Sequence, residues 1–172
     1  KYIAKLDSMF SEHRYWHGNE PCHQIAYLFN YAGQPWKTQR EVRHIMETEY
    51  LNAPGGLSGN DDAGQMSAWY VFSAMGFYPV CPGTPYYIIG SPSFPRMSIR
   101  LENGKTFTIL AHNANKKNIY IQSAKLNGKE YDKNYFTHQD IVQGGTLEFQ
   151  MGPNPNTNWG ASALSLPPDN MK

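Results

Sequence analysis

Two adjacent carboxylates, Asp61 and Asp62, head the stretch of this chain that is best suited to chemistry. They follow a loop rich in glycine and proline. An apolar run beginning at Met66 has the spacing of a helix, which predicts a helix N-terminus directly after Asp62. Free backbone N–H groups and the positive end of the helix dipole would hold both carboxylates ionised there, as a general base or a cation ligand requires. Capping of the helix is the competing interpretation, because aspartate is a preferred N-cap residue.

A second polar cluster, in residues 17–21, combines an imidazole, an amide and a carboxylate in one loop before a helix. Its amide and its carboxylate, Asn19 and Glu20, could belong to a site or could cap that helix, and both interpretations stay open. Because this cluster and the two aspartates both precede predicted helices, antiparallel packing of those helices would bring them to one rim.

Three tryptophans, Trp16, Trp36 and Trp69, lie near these loops in the sequence. The face of an indole ring can stack on a sugar, and its N–H can hydrogen-bond. Trp69 falls within the predicted helix and is expected in the core. Trp16 and Trp36 are therefore the candidates for a sugar contact.

The composition favours an uncharged partner. The 172 residues include 15 Lys and Arg against 14 Asp and Glu, so no strong field favours nucleic acid or an anionic membrane. Aromatic residues make up 14% and charged residues only 17%, a balance found at sugar-binding surfaces, at interfaces and in tyrosine-rich cores. No apolar stretch approaches the ~20 residues of a membrane span. The two cysteines, Cys22 and Cys81, are predicted to be buried thiols.

The periodicity of the apolar residues changes near residue 84, which predicts an α+β chain. A helical segment is expected over residues 1–84 and an antiparallel β domain over residues 85–172. Helices are predicted within residues 1–13, 21–31, 35–50 and from 62 to about 76. β-Branched and aromatic runs joined by Asn-Gly turns at 103–104 and 127–128 predict a sheet or small sandwich, followed by an irregular tail after Gly152.

Several segments of this sequence, in this order, resemble glycoside hydrolase family 92: Tyr15 to Pro21, Tyr31 to Gln39, Gly56 to Pro79 and Ile121 to Lys129. Members of this family are calcium-dependent, exo-acting α-mannosidases. They are built from an N-terminal β-sandwich and an (α/α)6 barrel, and they hydrolyse with inversion. The resemblance implies that this chain is the C-terminal portion, in which the last barrel helices are followed by the β domain.

The resemblance also implies the partners of the chain. The substrate would be a terminal mannose on a glycan, in an α-1,2 linkage, and the location would be periplasmic or extracellular. A start at Lys1 within a helical segment leads us to expect a chain cut from something longer. The N-terminal part of the same enzyme would then be a partner, and the present chain alone would be inactive.

The catalytic roles implied by the resemblance centre on residues 60–62. Asp62 is the predicted general base, and Asp61 is a second catalytic candidate. Asn60 stands where family members often carry another carboxylate, so help in orienting water would come from an amide. The family's general acid is an upstream glutamate for which this sequence shows no counterpart.

Calcium in this family contacts sugar hydroxyls, and it requires hard oxygen ligands. Asn19, Glu20 and Asp61 are the predicted donors in this chain. His17 and His23 are expected to hydrogen-bond sugar hydroxyls instead, because a hard cation does not favour imidazole. Substrate contacts are therefore predicted at His17, Asn19, Glu20, His23, Trp16 and Trp36.

Two other classes of protein compete with the enzyme. The β half could be a carbohydrate-binding module that binds glycans without hydrolysis, or the chain could be a purely structural element that completes a larger enzyme. Carboxylates at two predicted helix starts favour the enzyme over the binding module, because a binding module does not need them.

Overall fold

A computed structural model describes residues 1–168, so the last residues of the predicted tail, 169–172, lie outside the described part. Its α-helices are α1 (Tyr2–Ser11), α2 (Leu28–Tyr31), α3 (Pro35–Thr48), α4 (Gln65–Met75) and α5 (His138–Val142). Two short 3-10 helices, Glu20–Cys22 and Ile25–Tyr27, precede α2. The helix predicted over residues 21–31 is therefore broken into short pieces, whereas the other three helices of the first half are confirmed.

The bounds of α3 and α4 follow from local sequence. α3 begins at Pro35, whose missing N–H and fixed φ suit the first turn of a helix. Its apolar residues Val42, Ile45 and Met46 recur at helical spacing, and all three are buried. α4 ends at Gly76, whose φ of 97° lies in the left-handed region that glycine adopts without strain.

The strands form two sheets. The first has the order β1 (Phe77–Tyr78), β2 (Tyr86–Ile89) and β7 (Tyr135–Thr137), with both pairs antiparallel. The second has the order β3 (Arg96–Arg100), β4 (Thr106–His112), β8 (Gly145–Gly152), β5 (Tyr120–Leu126) and β6 (Lys129–Glu130). Both predicted hairpins are confirmed. The turn at 103–104 joins β3 to β4, and the turn at 127–128 joins β5 to β6.

One pair of strands departs from the antiparallel prediction. β4 and β8 run parallel, with Ile109 opposite Leu147, so the five-stranded sheet is mixed. A parallel pair needs a crossover connection, and here it runs through β5, β6, β7 and α5. A capping box starts α5: the Thr137 hydroxyl accepts from the Asp140 N–H at 3.2 Å, and the Asp140 carboxylate accepts from the Thr137 N–H at 2.8 Å.

Buried hydrogen bonds join the helical half to the β half. The Oε1 atom of Gln39 in α3 accepts from the buried N–H of Ile121 at 3.0 Å. Asn30 of α2 donates to the carbonyl oxygens of Ile89 and Asn134, at 2.9 Å each. These amides fix the placement of the two halves, because an unpaired buried donor or acceptor is costly. The domain boundary near residue 84 stays a prediction.

The tail after Gly152 is irregular through residue 168, as predicted. The prediction of buried thiols is wrong: Cys81 is exposed in the turn that follows β1, and Cys22 is only half-buried. Within residues 1–168, no helix combines the length and the apolar character that crossing a membrane requires.

Candidate active site

The first loop (residues 12–19) and the second loop (residues 49–64) meet through glycine backbone. This contact brings the two acidic segments to one rim, as predicted. A Cβ atom added to Gly59 would lie 2.3 Å from the carbonyl oxygen of Gly18. One added to Gly18 would lie 2.8 Å from the carbonyl oxygen of Ser58. Real Cβ atoms essentially never come closer than 3.0 Å, so neither position has room for a side chain. The two loops therefore touch backbone to backbone.

Glu20 and Asp62, one from each side of this contact, have their carboxyl groups within hydrogen-bond distance of each other. A hydrogen bond from its own backbone N–H, followed by the bond with Asp62, lowers the pKa of the Glu20 carboxyl. The pKa of the Asp62 carboxyl is raised, first by the hydrogen bond with Glu20, then by desolvation and by the charges of Glu20 and Asp61. Asp62 therefore binds a proton more strongly than an isolated aspartate does.

Asp61 is the aspartate that contacts the helix. Its Oδ1 accepts from the backbone N–H of Ser67 at 2.8 Å, and its Oδ2 accepts from the Ser67 hydroxyl at 3.0 Å. Ser67 lies in the first turn of α4, where backbone N–H groups have no partner within the helix. Capping, the competing interpretation of the aspartate pair, therefore describes Asp61.

Asp62 behaves differently from the prediction for it. The pKa of Asp62 is shifted opposite to the direction expected from the start of α4, and the largest cause is the hydrogen bond with Glu20. Asp62, Ala63 and Gly64 all have left-handed backbone, with φ of 43°, 56° and 91°. This run delays the start of α4 to Gln65. The Asp62 side chain stays exposed at the rim.

His17 lies beneath the two loops and is fully buried. Its Nε2 lies 2.6 Å from the Tyr50 hydroxyl, and its Nδ1 lies 2.8 Å from the Tyr15 hydroxyl. The Tyr50 hydroxyl donates to the carbonyl oxygen of Met66 at 2.9 Å, so it accepts from His17, and the imidazole proton resides on Nε2. Burial, followed by the neighbouring His23, lowers the pKa of His17 to about 3, so the ring is neutral near pH 7.

His23 is also buried, and its ring stacks on that of His17 with the centroids 4.5 Å apart. Its Nε2 donates to the carbonyl oxygen of His17 at 3.0 Å, and its Nδ1 accepts from the Gln65 amide at 3.3 Å. The carbonyl oxygen of His23 accepts from Trp69 Nε1 at 3.0 Å. This carbonyl is bound by a side chain where a regular helix would use a backbone N–H, which accounts for the broken helix.

The side chains that make these contacts form a buried histidine network: Tyr15, His17, His23, Tyr50, Gln65 and Trp69. Trp69 is fully enclosed, as predicted. The four ring nitrogens of the two histidines all have partners within the chain. Contact between these histidines and sugar hydroxyls stays a prediction, but the structure gives their nitrogens another use.

Of the two tryptophans predicted to stack on a sugar, the structure brings only Trp16 to the two loops. Its side chain is 56% exposed, and its ring lies over Gly18, where an added Cβ would be 2.6 Å from the indole. Trp36 lies in the first turn of α3 beside Arg40. Tyr50 follows the other end of that helix, which spans roughly 20 Å. The Tyr50 hydroxyl contacts His17, the residue next to Trp16. Trp36 is therefore remote from Trp16.

The oxygen donors predicted for calcium, Asn19, Glu20 and Asp61, do not form a complete ligand set. Both oxygens of Asp61 already accept from Ser67, and Glu20 pairs with Asp62. No group of three or more His, Cys, Asp or Glu in the described part of the chain is arranged to hold a metal ion. Calcium takes roughly six to eight oxygen ligands, so these residues fit at most part of such a site.

Sequence reasoning missed the residues that hold the site together. Tyr50 lies 33 positions from His17, and only the packing of α3 beside α4 brings its hydroxyl to the imidazole. Gly18 and Gly59 stood within the predicted loops, but glycine signals a turn and a close backbone approach equally well. Gln65 could have been suspected from the sequence, because its polar amide follows the two aspartates at the predicted start of the helix.

Known proteins resemble this chain over nearly all of its length. The sequence profile of the glycosyl hydrolase family 92 catalytic domain matches residues 1–153. An uncharacterized secreted glycosidase of Arthroderma benhamiae is 36% identical over 171 residues, which cover 98% of this chain and 22% of that protein.

Solved structures of two proteins from Bacteroides thetaiotaomicron are also similar. One is a family GH92 alpha-mannosidase, with a TM-score of 0.94 and 45% identity over 98% of this chain and 24% of that chain. The other is a family GH92 inverting mannosidase, with a TM-score of 0.85 and 44% identity over 96% of this chain and 22% of that chain. This chain therefore spans less than a quarter of the length of these relatives.

Replacing Gly59 with alanine is expected to separate the two loops, because the methyl group would overlap the backbone of Gly18. The free energy of unfolding should fall by about 1–3 kcal/mol, the usual cost of overpacking, in urea denaturation. Gly55→Ala is the matched control, since a Cβ added in that part of the second loop meets no atom within 4 Å. Equal stability of the two variants would contradict the backbone contact.

Proposed function

Because this chain belongs to glycosyl hydrolase family 92, we propose that it is the C-terminal portion of an exo-acting, inverting α-mannosidase that prefers α-1,2 linkages on glycans. The observation that carries the proposal is the meeting of Glu20 and Asp62 beside the exposed ring of Trp16. Carboxylates bind sugar hydroxyls through charge-assisted hydrogen bonds, and an indole face covers the apolar side of a sugar ring. The two solved mannosidases support mannose as the sugar.

Asp62 is the general base in this proposal. In an inverting reaction, the base accepts a proton from the water that attacks the anomeric carbon. Asp62 is exposed at the rim, and its carboxyl has a raised pKa, which suits a proton acceptor. Asn60 would orient the water through its amide. Asp61 holds the turn through its contacts with Ser67.

Glu20 cannot be the general acid that works with Asp62. Inverting enzymes hold their acid and base roughly 6.5–9.5 Å apart to leave room for the water, whereas these two carboxyls are hydrogen-bonded to each other. The general acid would therefore lie in a part of the enzyme beyond these residues. The chain of 172 residues would then be inactive alone.

Calcium also belongs to this proposal. Bound calcium would hold sugar hydroxyls and favour distortion of the ring. Asn19 and Glu20 would supply oxygen donors from the first loop side, and Asp61 would offer the lone pairs that Ser67 leaves free. The remaining ligands would come from outside residues 1–168.

A carbohydrate-binding module in the β half has less support. In the described part of the chain, the large apolar residues exposed on the β half are Phe94 and Leu164, whereas the exposed tryptophan lies on the helical half. A secreted relative and the family resemblance support an extracellular or periplasmic location, which we propose for this protein.

Hydrolysis of an aryl α-mannoside tests the proposed function. A longer enzyme that carries this chain should release mannose with inverted configuration, which NMR detects. The 172-residue chain alone should show no measurable turnover, because the loss of a general acid costs about 10²–10⁴-fold in rate. Comparable rates from the two proteins would contradict the missing acid, and retained configuration would contradict inversion.

The base assignment can be tested by Asp62→Asn in that longer enzyme. Turnover should fall at least ~10²-fold, because asparagine cannot accept a proton from water. The fold should persist, since asparagine tolerates the left-handed backbone of this position as well as aspartate does. Asp61→Asn is the control and should affect substrate or metal affinity more than the chemical step. Normal turnover in Asp62→Asn, with Asp61→Asn inactive at saturating substrate, would show that Asp61 and not Asp62 is the general base.

Calcium binding by the 172-residue chain should be weak, with a Kd of about 1 mM or higher, because the chain supplies only part of the ligands. Isothermal titration calorimetry with calcium chloride measures this constant. Tight binding that Glu20→Gln abolishes would instead show a complete site within the chain. Glu102→Gln, in the exposed turn before β4, is the matched control and should leave binding unchanged.

A further inference from the structure

We propose that the buried histidine network positions the Asp62 carboxylate against Glu20, with the Tyr50 hydroxyl as the link between the two loops. This inference rests on the proposed function, because it assigns the network to the same site. The network residues act through other groups. His17 and His23 are buried beneath the loops and are therefore positioning residues.

One branch of the network leads from the first loop to the backbone that carries the two aspartates. His17 donates to the Tyr50 hydroxyl at 2.6 Å, and that hydroxyl donates to the carbonyl oxygen of Met66 at 2.9 Å. The N–H of Met66 in turn donates to the carbonyl oxygen of Asp61 at 3.2 Å. The position of the aspartate turn therefore depends on a continuous series of hydrogen bonds that starts at His17.

A second branch holds the segment that carries Glu20. The N–H of His23 donates to the carbonyl oxygen of Glu20 at 2.9 Å. The ring of His23 accepts from Gln65, and its carbonyl oxygen accepts from Trp69, both of which belong to α4. The two branches thus attach both acidic segments to the first turns of one helix.

The aspartate turn needs such support because its backbone is unfavourable. Asp62 and Ala63 are consecutive non-glycine residues in the left-handed region, with φ of 43° and 56°. Such a conformation persists only when the surrounding structure holds it. The bond from Tyr50 to Met66 fixes the helix turn that follows, and the N–H of Gln65 donates to the carbonyl oxygen of Asp62 at 3.2 Å.

Tyr50→Phe tests the proposal, because it removes both hydrogen bonds of the hydroxyl and keeps the ring that stacks on Trp69. In the 172-residue chain, hydrogen exchange of the Gln65 and Met66 amides should accelerate about threefold to tenfold, while amides in α3 should not change. Tyr70→Phe is the matched control. The centroid of its ring lies 4.9 Å from that of Tyr50, but its hydroxyl makes no hydrogen bond within the described residues.

Kinetics of the longer enzyme provide the second measurement. Tyr50→Phe should lower kcat about tenfold and leave KM within about twofold, because a misplaced base slows the chemical step more than it weakens binding. Tyr70→Phe should retain both constants. A purely structural Tyr50 would lower the melting temperature without this split between kcat and KM.

The two measurements separate the inference from the proposed function. Unchanged exchange at Gln65 and Met66 in Tyr50→Phe would overturn the positioning role, whatever the enzyme hydrolyses. Faster exchange at these amides, with kcat unchanged in an active enzyme, would also overturn it. A wild-type longer enzyme that releases no mannose would contradict the proposed function, and the exchange measurement would then decide the positioning role alone.

Discussion

The direct approach of Gly18 to Gly59 is the constraint on which the site depends. Glu20 and Asp62 follow these glycines closely in the chain, so the short backbone on either side sets the distance between the two carboxyls. A side chain at either glycine would push the loops apart, because its Cβ would overlap atoms of the facing loop. The buried histidine network then holds the loops from beneath. Main-chain contact and buried hydrogen bonds thus act on the same two segments.

α4 couples this site to the β half. Residues 63–95, which include α4, β1 and β2, contain no Asp, Glu, Lys, Arg or His, so this segment can be buried on more than one side at low cost. The ring of Trp69 meets that of His17 edge-on, with the centroids 4.3 Å apart. The ring centroids of Phe72 and of Phe77 in β1 lie 5.5 Å apart. Because protein interiors are closely packed, a shift of α4 would disturb the site and the β core together.

The sequence predicted the elements that local pattern controls and missed those that distant contacts control. α3 follows from Pro35 and from apolar residues at helical spacing. The break at His23 depends on Trp69, which lies 46 residues away. The parallel pairing of β4 with β8 leaves no local signal, since strands of either direction alternate with a period of two. In the site, residue types indicated Glu20 and Asp62, but the helix dipole alone gave the wrong direction for the pKa of Asp62.

The pairing of Glu20 with Asp62 places Glu20 on the base side of the proposed reaction. Two carboxylates in hydrogen-bond contact do not readily ionise together, so contact with Glu20 raises the pKa of the Asp62 carboxyl. The backbone N–H of Glu20 stabilises the charge on Glu20 and lowers the pKa of that carboxyl. Beside this charge, Asp62 binds a proton more strongly than an isolated aspartate would. The closeness that excludes Glu20 as the general acid therefore strengthens Asp62 as the base.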